Sequence, residues 1–183
     1  YSNIKIYDKY EDITNETINK LVTNQGISIS QDELDILKSI PGVKFDLPLN
    51  NQTKHALVAL IGKPKTRGLK PGVYIFTHKI TGYKYVGSSN SLSRRLDQYF
   101  HCKHLNQDDS GQLLPLLNKE GFDKFSLEIF VMPLDLRSHY SFLFLEQYYL
   151  LHKSFNLNTQ RIVNFRVHQG NPIYLYYLNY LYI

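Results

Sequence analysis

Residues 71–100 read PGVYIFTHKITGYKYVGSSNSLSRRLDQYF. Two triplets, Gly72-Val73-Tyr74 and Tyr85-Val86-Gly87, lie in runs of β-branched and aromatic residues on either side of Thr81-Gly82. Such runs, broken by a glycine turn, predict a hairpin with strands over 73–77 and 83–86. The hairpin is expected to set Tyr74 and Tyr85 side by side. Gly72 and Gly87 leave room for a backbone or a ligand to come close. After the Gly87-Ser88-Ser89 turn, Leu92, Leu96 and Tyr99 or Phe100 recur at helical spacing, so 91–100 reads as a helix. Arg95 and Tyr99 share one face of it with Ser91, while Arg94 points about 100° away.

Working outward, residues 112–120 read as a helix closed by Gly121. Residues 125–132 alternate as a strand and stop at Pro133. Asp135 is placed to cap a long helix from Leu136 to about Lys153, and 162–167 reads as a last strand. The order hairpin, helix, helix, strand, helix specifies a small α/β domain of the α+β kind, a short antiparallel sheet flanked by helices. Upstream, 14–24 and 30–39 read as short helices. Thr14 caps the first, Gly26 follows it, and Ser30 with Glu33 forms a capping box on the second before Pro41-Gly42. A third short helix is expected over 53–60, followed by the basic, Gly- and Pro-rich linker GKPKTRGLKPG. We divide the chain into a helical N-terminal extension and linker (1–70), a main domain (71–165) and the start of a C-terminal region (166–183).

The 183 residues suffice for one core with an appendage. Lys and Arg number 21 against 16 Asp and Glu, a net charge of +5 that favours an anionic partner, nucleic acid before membrane. No run of 18 apolar residues occurs, so no membrane-spanning helix is expected. Cys102 is the single cysteine, which excludes an intramolecular disulfide. The chain opens without Met, and we expect it to be processed, trimmed or read through from upstream coding sequence. The aromatic and aliphatic stretch 173–183 leads us to expect that the native chain continues, or that this tail pairs within a larger assembly.

Six groups of residues bear on the chemistry. Two phenols in hairpin partners, Tyr74 and Tyr85, serve either as strand packing or as a pair able to move a proton if a cation eases its loss. Arg95, leaving the Ser88-Ser89 turn, suits a bidentate grip on a phosphate. Glu146 stands in YSFLFLEQYYLL, where almost every neighbour is apolar. A carboxylate there must be paired, neutral or cation-bound; a salt bridge, with Arg95 as one partner, is the structural reading, and a hard divalent ion the functional one. Asn156 and Asn158 follow this helix and suit C-terminal capping. Lys63, Lys65, Arg67 and Lys70 form a basic run that either is solvated or touches backbone phosphates. His101, Cys102 and His104 lack the second ligand pair of a structural zinc site.

At these residues the sequence resembles the GIY-YIG nuclease family. Gly72-Val73-Tyr74 and Tyr85-Val86-Gly87 match its two named triplets, with Val73 for Ile. Arg95 falls at the family's helix arginine, Tyr99 where members carry His or Tyr, and Glu146 at the metal glutamate. Asn156 matches an asparagine commonly found after the glutamate helix. The resemblance covers about 71–165. Wording such as KYVGSSNSLSRRL, LEQYYL and FNLNTQRIVNFRV is similar to homing endonucleases encoded in fungal mitochondrial group I introns. The resemblance implies hydrolysis of phosphodiester bonds in double-stranded DNA with one divalent ion, Mg²⁺ or Mn²⁺, in the mitochondrion. It implies Tyr74 as general base supported by Tyr85, Arg95 and Tyr99 on the scissile phosphate, and Glu146 as metal ligand. Ser88, Lys63, Lys65, Arg67 and Lys70 are expected to contact nucleic acid. A non-cleaving module of the same fold, bound to intron RNA or a mitochondrial ribosome, is the alternative.

Overall fold

The structure, a computed structural model, describes residues 4–65, 69–101, 111–136 and 141–165. Arg67, Cys102, His104 and the tail 166–183 lie outside the described residues. Among those described are six α-helices and four strands: α1 (Asn15–Val22), α2 (Gln31–Lys38), β1 (Val43–Asp46), α3 (Asn51–Ile61), β2 (Gly72–His78), β3 (Lys84–Ser89), α4 (Leu92–Phe100), α5 (Leu113–Glu120), β4 (Phe125–Val131) and α6 (Ser141–Leu150). The strands form one antiparallel sheet in the order β1-β4-β2-β3.

The sheet is covered on both faces, which makes β2, at its middle, buried almost throughout. Alternation along the strands sends Tyr74, Phe76, Tyr85, Leu127 and Ile129 to one face. There they pack on Leu57 and Ile61 of α3, Leu96 and Tyr99 of α4, and Leu113 and Leu117 of α5. Val73, Ile75, Val86 and Phe130 go to the other face. Phe144, Leu145 and Tyr148 of α6 meet them there, backed by Ile18 and Val22 of α1 and Leu34 and Leu37 of α2. The result is an α+β domain with helices on both sides of the sheet.

The local signals explain most of the elements. The Thr14 hydroxyl accepts from Thr17 N, and Ser30 with Glu33 closes a reciprocal capping box. Asn50, with Thr53, does the same for α3, which therefore begins at Asn51, two residues before the expected start. The hairpin turn closes through His78 N to Tyr83 O at 2.8 Å, with Gly82 at φ +72°.

Four features differ from the sequence reading. Tyr74 stands opposite Gly87, and Tyr85 opposite Phe76, so the two tyrosines are diagonal neighbours on one face with ring centroids 6.5 Å apart. Within the expected long helix the described residues show α6 over Ser141–Leu150, and Asp135, expected as its cap, lies in a 3-10 turn, Leu134–Leu136. Residues 162–165 belong to no strand. The stretch 43–46, read as part of the extension, supplies strand β1 at the sheet edge beside β4. Val43, Lys44, Phe45 and Asp46 do alternate, but over only four residues and with Phe45 alone buried; the long-range pairing with β4 makes it a strand.

Candidate active site

Glycines bring the phenols together. A side chain at Gly87 would meet the Tyr74 hydroxyl at 2.5 Å, so Tyr74 lies across the space that only glycine leaves open. From α4, the Arg95 Nε–H donates to the Tyr74 hydroxyl at 3.2 Å. Tyr74 donates to Tyr99 at 3.4 Å, and Tyr99 to Tyr85 at 3.5 Å. These are long for O–H···O bonds, yet all run in one direction, from the guanidinium through three phenols. The Arg95 guanidinium also lies over the Tyr99 ring, 5.3 Å from its centroid, as the four-residue spacing predicts. Arg94 is exposed.

Burial, then the charge on Tyr99, pushes Tyr74 well above the ordinary phenol range, while Arg95 opposes the rise. Burial likewise raises Tyr99 and Tyr85; at Tyr85 the Tyr74 charge adds to the rise, and the hydrogen bond from Tyr99 and the Arg95 charge only partly oppose it. A negative charge at Tyr85 would be supported by the Tyr99 hydrogen bond and by the permanent cation of Arg95. Tyr85 is the phenol of the three that reaches a cavity; Tyr74 is 1% exposed.

That cavity, of about 250 Å³, lies at the outer edge of β3, where the two faces of the sheet meet. Tyr85 from one face and Ser88 with Glu146 from the other line it, together with Asn158 and the segment 159–164. Glu146 Oε2 accepts from the Ser88 hydroxyl at 2.5 Å. Burial pushes the Glu146 carboxyl up to about 7, against the Ser88 bond and the Arg95 charge, which lower it. The salt bridge to Arg95 is not formed; Arg95 is engaged with Tyr74 and, through Nη1, with Gln98 at 3.3 Å. Among the described residues no three of His, Cys, Asp and Glu gather as a metal cluster. A half-buried carboxylate steadied by one hydroxyl, on the wall of a cavity of several waters' size, fits a hard cation that keeps its waters, and does not fit zinc.

Two positions that matter here carried weaker signals. Asn158 reproduces a strand's hydrogen bonds on the free edge of β3: its Oδ1 accepts from Val86 N at 2.9 Å and its Nδ2 donates to Val86 O at 2.8 Å. Asn156 is exposed, outside the cavity, and accepts from Lys84 N at 3.4 Å. Gln147 is fully buried; its Nε2 donates to Arg161 O and its Oε1 accepts from Val163 N, each at 2.9 Å. It thereby fastens the segment that walls the cavity. Gln147 stands beside Glu146 in the same apolar run, and a buried amide there likewise requires partners.

Asn158→Ala leaves both backbone groups of Val86 without these partners in a half-buried setting. We expect a loss of about 2 kcal/mol, read from denaturant unfolding. Asn156→Ala should stay within about 0.5 kcal/mol. Equal losses would show that the Asn158 pairing does not hold this edge.

Of the basic run, Lys63 and Lys65 are exposed, while Lys70 Nζ donates to Leu60 O at 2.8 Å and so ties the linker to α3. His101 is exposed and pairs with Asp97 at 3.0 Å. Among the described residues no helix is long and apolar enough to cross a membrane.

Residues 70–158 match the family model of the GIY-YIG catalytic domain. The match runs from Lys70, two residues before β2, to Asn158 on the β3 edge. The match covers 89 of the 183 residues. No curated protein and no solved structure matches the chain.

Proposed function

We propose, from the premise of a GIY-YIG catalytic domain over 70–158, that this protein is a metal-dependent endonuclease of the intron-encoded homing type, acting on double-stranded DNA in the mitochondrion. The observation that carries the nuclease reading is the one-way chain from Arg95 through Tyr74 and Tyr99 to Tyr85, which ends on the cavity that holds Glu146. The homing type, the DNA target and the mitochondrion follow from the intron-type wording around the motifs.

In this reading one phenol of the chain first gives up its own proton to solvent, and the phenolate, steadied by Arg95, then takes the proton of the attacking water. Tyr85 is the member at the cavity wall, and Tyr74 is the member that Arg95 touches. Arg95 holds the scissile phosphate and the charge that grows on it. Ser88 orients Glu146, which would hold Mg²⁺ or Mn²⁺; when bound, that ion supplies Lewis-acid stabilisation of the leaving oxygen. Lys63 and Lys65 are exposed on the linker that precedes β2, and we assign them to contacts with backbone phosphates.

The test is nicking of supercoiled plasmid by the full chain with Mg²⁺, against the same reaction in EDTA. Arg95→Ala should lower the rate about 10²-fold, as loss of one transition-state donor does. It should leave the fold intact, since Arg95 is half-buried on the helix surface. Wild-type nicking by Arg95→Ala would overturn its role. The burial of all three phenols is the observation that favours the non-cleaving alternative. That alternative predicts co-purifying RNA and no cleavage under any metal.

A further inference from the structure

On the face of the sheet away from the tyrosine chain lies a second cleft, of about 380 Å³, which the reaction above does not use. Its walls are aromatic: Tyr10, Phe130, Tyr148, Tyr149 and Phe155. Tyr148 and Phe155 are buried, but Tyr10 and Tyr149 are only partly covered and present ring surface to the cleft. The rings form a continuous cluster, with Tyr149 packed on both Phe130 and Phe155 at 5.6 and 5.4 Å between centroids. The rings are therefore held in place before any ligand arrives.

Two opposite charges face this aromatic space. Glu128 enters from β4 and Lys84 from β3. They do not pair with each other, and among the described residues neither has an ion pair within 4.0 Å. Lys84 Nζ instead rests 5.9 Å from the Phe155 centroid. Lys38 stands at the rim over Tyr148, at 5.3 Å. A carboxylate and an ammonium left apart across an aromatic cleft match a ligand that is itself flat, hydrogen-donating at one end and anionic at the other. The size falls in the range of small-ligand pockets.

We propose that this cleft binds one unpaired nucleotide whose base carries an amino group. The base packs against Tyr10 and Tyr149, its amino edge donates to Glu128, and its phosphate meets Lys84, with Lys38 at the entrance. Aromatic stacking with a lysine on the phosphate is how single strands are gripped. The carboxylate adds a preference, because adenine, cytosine and guanine offer an amino group and uracil does not. The cleft and the candidate active site share two elements. Glu146 and Tyr149 are one turn apart on α6, and Lys84 and Ser88 are about 13 Å apart along β3 at the usual rise per residue. A strand engaged at one site is within reach of the other. The choice of a nucleotide rests on the nucleic-acid reading; the cleft itself does not.

The test is titration of the isotope-labelled full chain with AMP, CMP, GMP and UMP, followed by amide NMR shifts, and repeated with a short single-stranded oligonucleotide. Expected are shifts at Lys84, Glu128 and Tyr149, with UMP the weakest of the four. Lys84→Gln, with an unchanged melting curve, should bind about tenfold more weakly, as loss of one charge-assisted contact does. Glu128→Gln should flatten the preference over UMP. Shifts confined to Ser88 and Glu146, no shift with any nucleotide, or unchanged binding by Lys84→Gln would each overturn the proposal. Oligonucleotide binding without mononucleotide shifts at the cleft would also overturn it. Glu146→Gln should bind as wild type does. Failure of the cleft reading therefore shows in the nucleotide shifts, and failure of the nuclease reading shows in plasmid nicking, so the two are told apart.

Discussion

Glu146→Gln should abolish cleavage and, at alkaline pH, make the protein more stable. The two effects have one cause. Ser88 keeps its acceptor in the glutamine, so the side chain stays in place. What disappears is the charge, and with it the cation site. Loss of several kcal/mol of charge stabilisation corresponds to at least about 10³-fold in rate. The stability effect follows from the carboxyl being raised from 4.5 to about 7 in the folded protein. Between these values the folded state holds a proton that the unfolded state has lost, so wild-type stability falls as pH rises through this window. Above pH 7 the buried charge costs the fold on the order of 2 kcal/mol. Glutamine does not titrate. The variant should melt a few degrees above wild type at pH 8 and alongside it at pH 4. Thermal melts at the two pH values, together with plasmid nicking, check both parts. Wild-type cleavage would remove Glu146 from the mechanism, and a lower melting temperature at pH 8 would mean that burial does not strain the carboxyl.

Residues that act through their neighbours in sequence were legible, and those that act through distant partners were not. Arg95 and Tyr99 could be paired in advance because helical spacing puts i and i+4 on one face. The Ser30 and Thr14 caps were visible because a cap is a local bargain between a side chain and the next turn. Glu146 stood out because a carboxylate in an apolar helix must have a reason. The register of the hairpin was not legible: Tyr74 against Gly87, rather than against Tyr85, depends on where the turn closes, and a two-residue shift keeps every side chain on its own face. Strand β1 exists only because β4 lies beside it. Asn158 was harder to rank above Asn156, because both follow the same helix and only the edge of β3 separates their roles.

The glycines of the two triplets are expected to fail differently when filled. At Gly72, an added methyl would overlap the carbonyl oxygen of Phe130 and crowd Leu92. Phe130 belongs to β4, which pairs with β2 along its whole length, so that oxygen cannot withdraw without parting the two central strands. Gly72→Ala should cost roughly 3 kcal/mol or more and take much of the protein out of the folded state. At Gly87 the obstacle is the end of a side chain, the Tyr74 phenol. Tyr74 can yield only by turning away from Arg95, because Phe76 and Tyr99 pack against its ring. Gly87→Ala should therefore stay folded at a cost of about 1–3 kcal/mol. It should lose cleavage by about 10²-fold, the penalty for a reacting group displaced by an ångström. Denaturant unfolding separates the two variants, and single-turnover cleavage at saturating protein measures the second. Wild-type cleavage by a folded Gly87→Ala protein would show that the Tyr74 hydroxyl need not stand against Arg95, and the phenol chain would lose its place in the reaction.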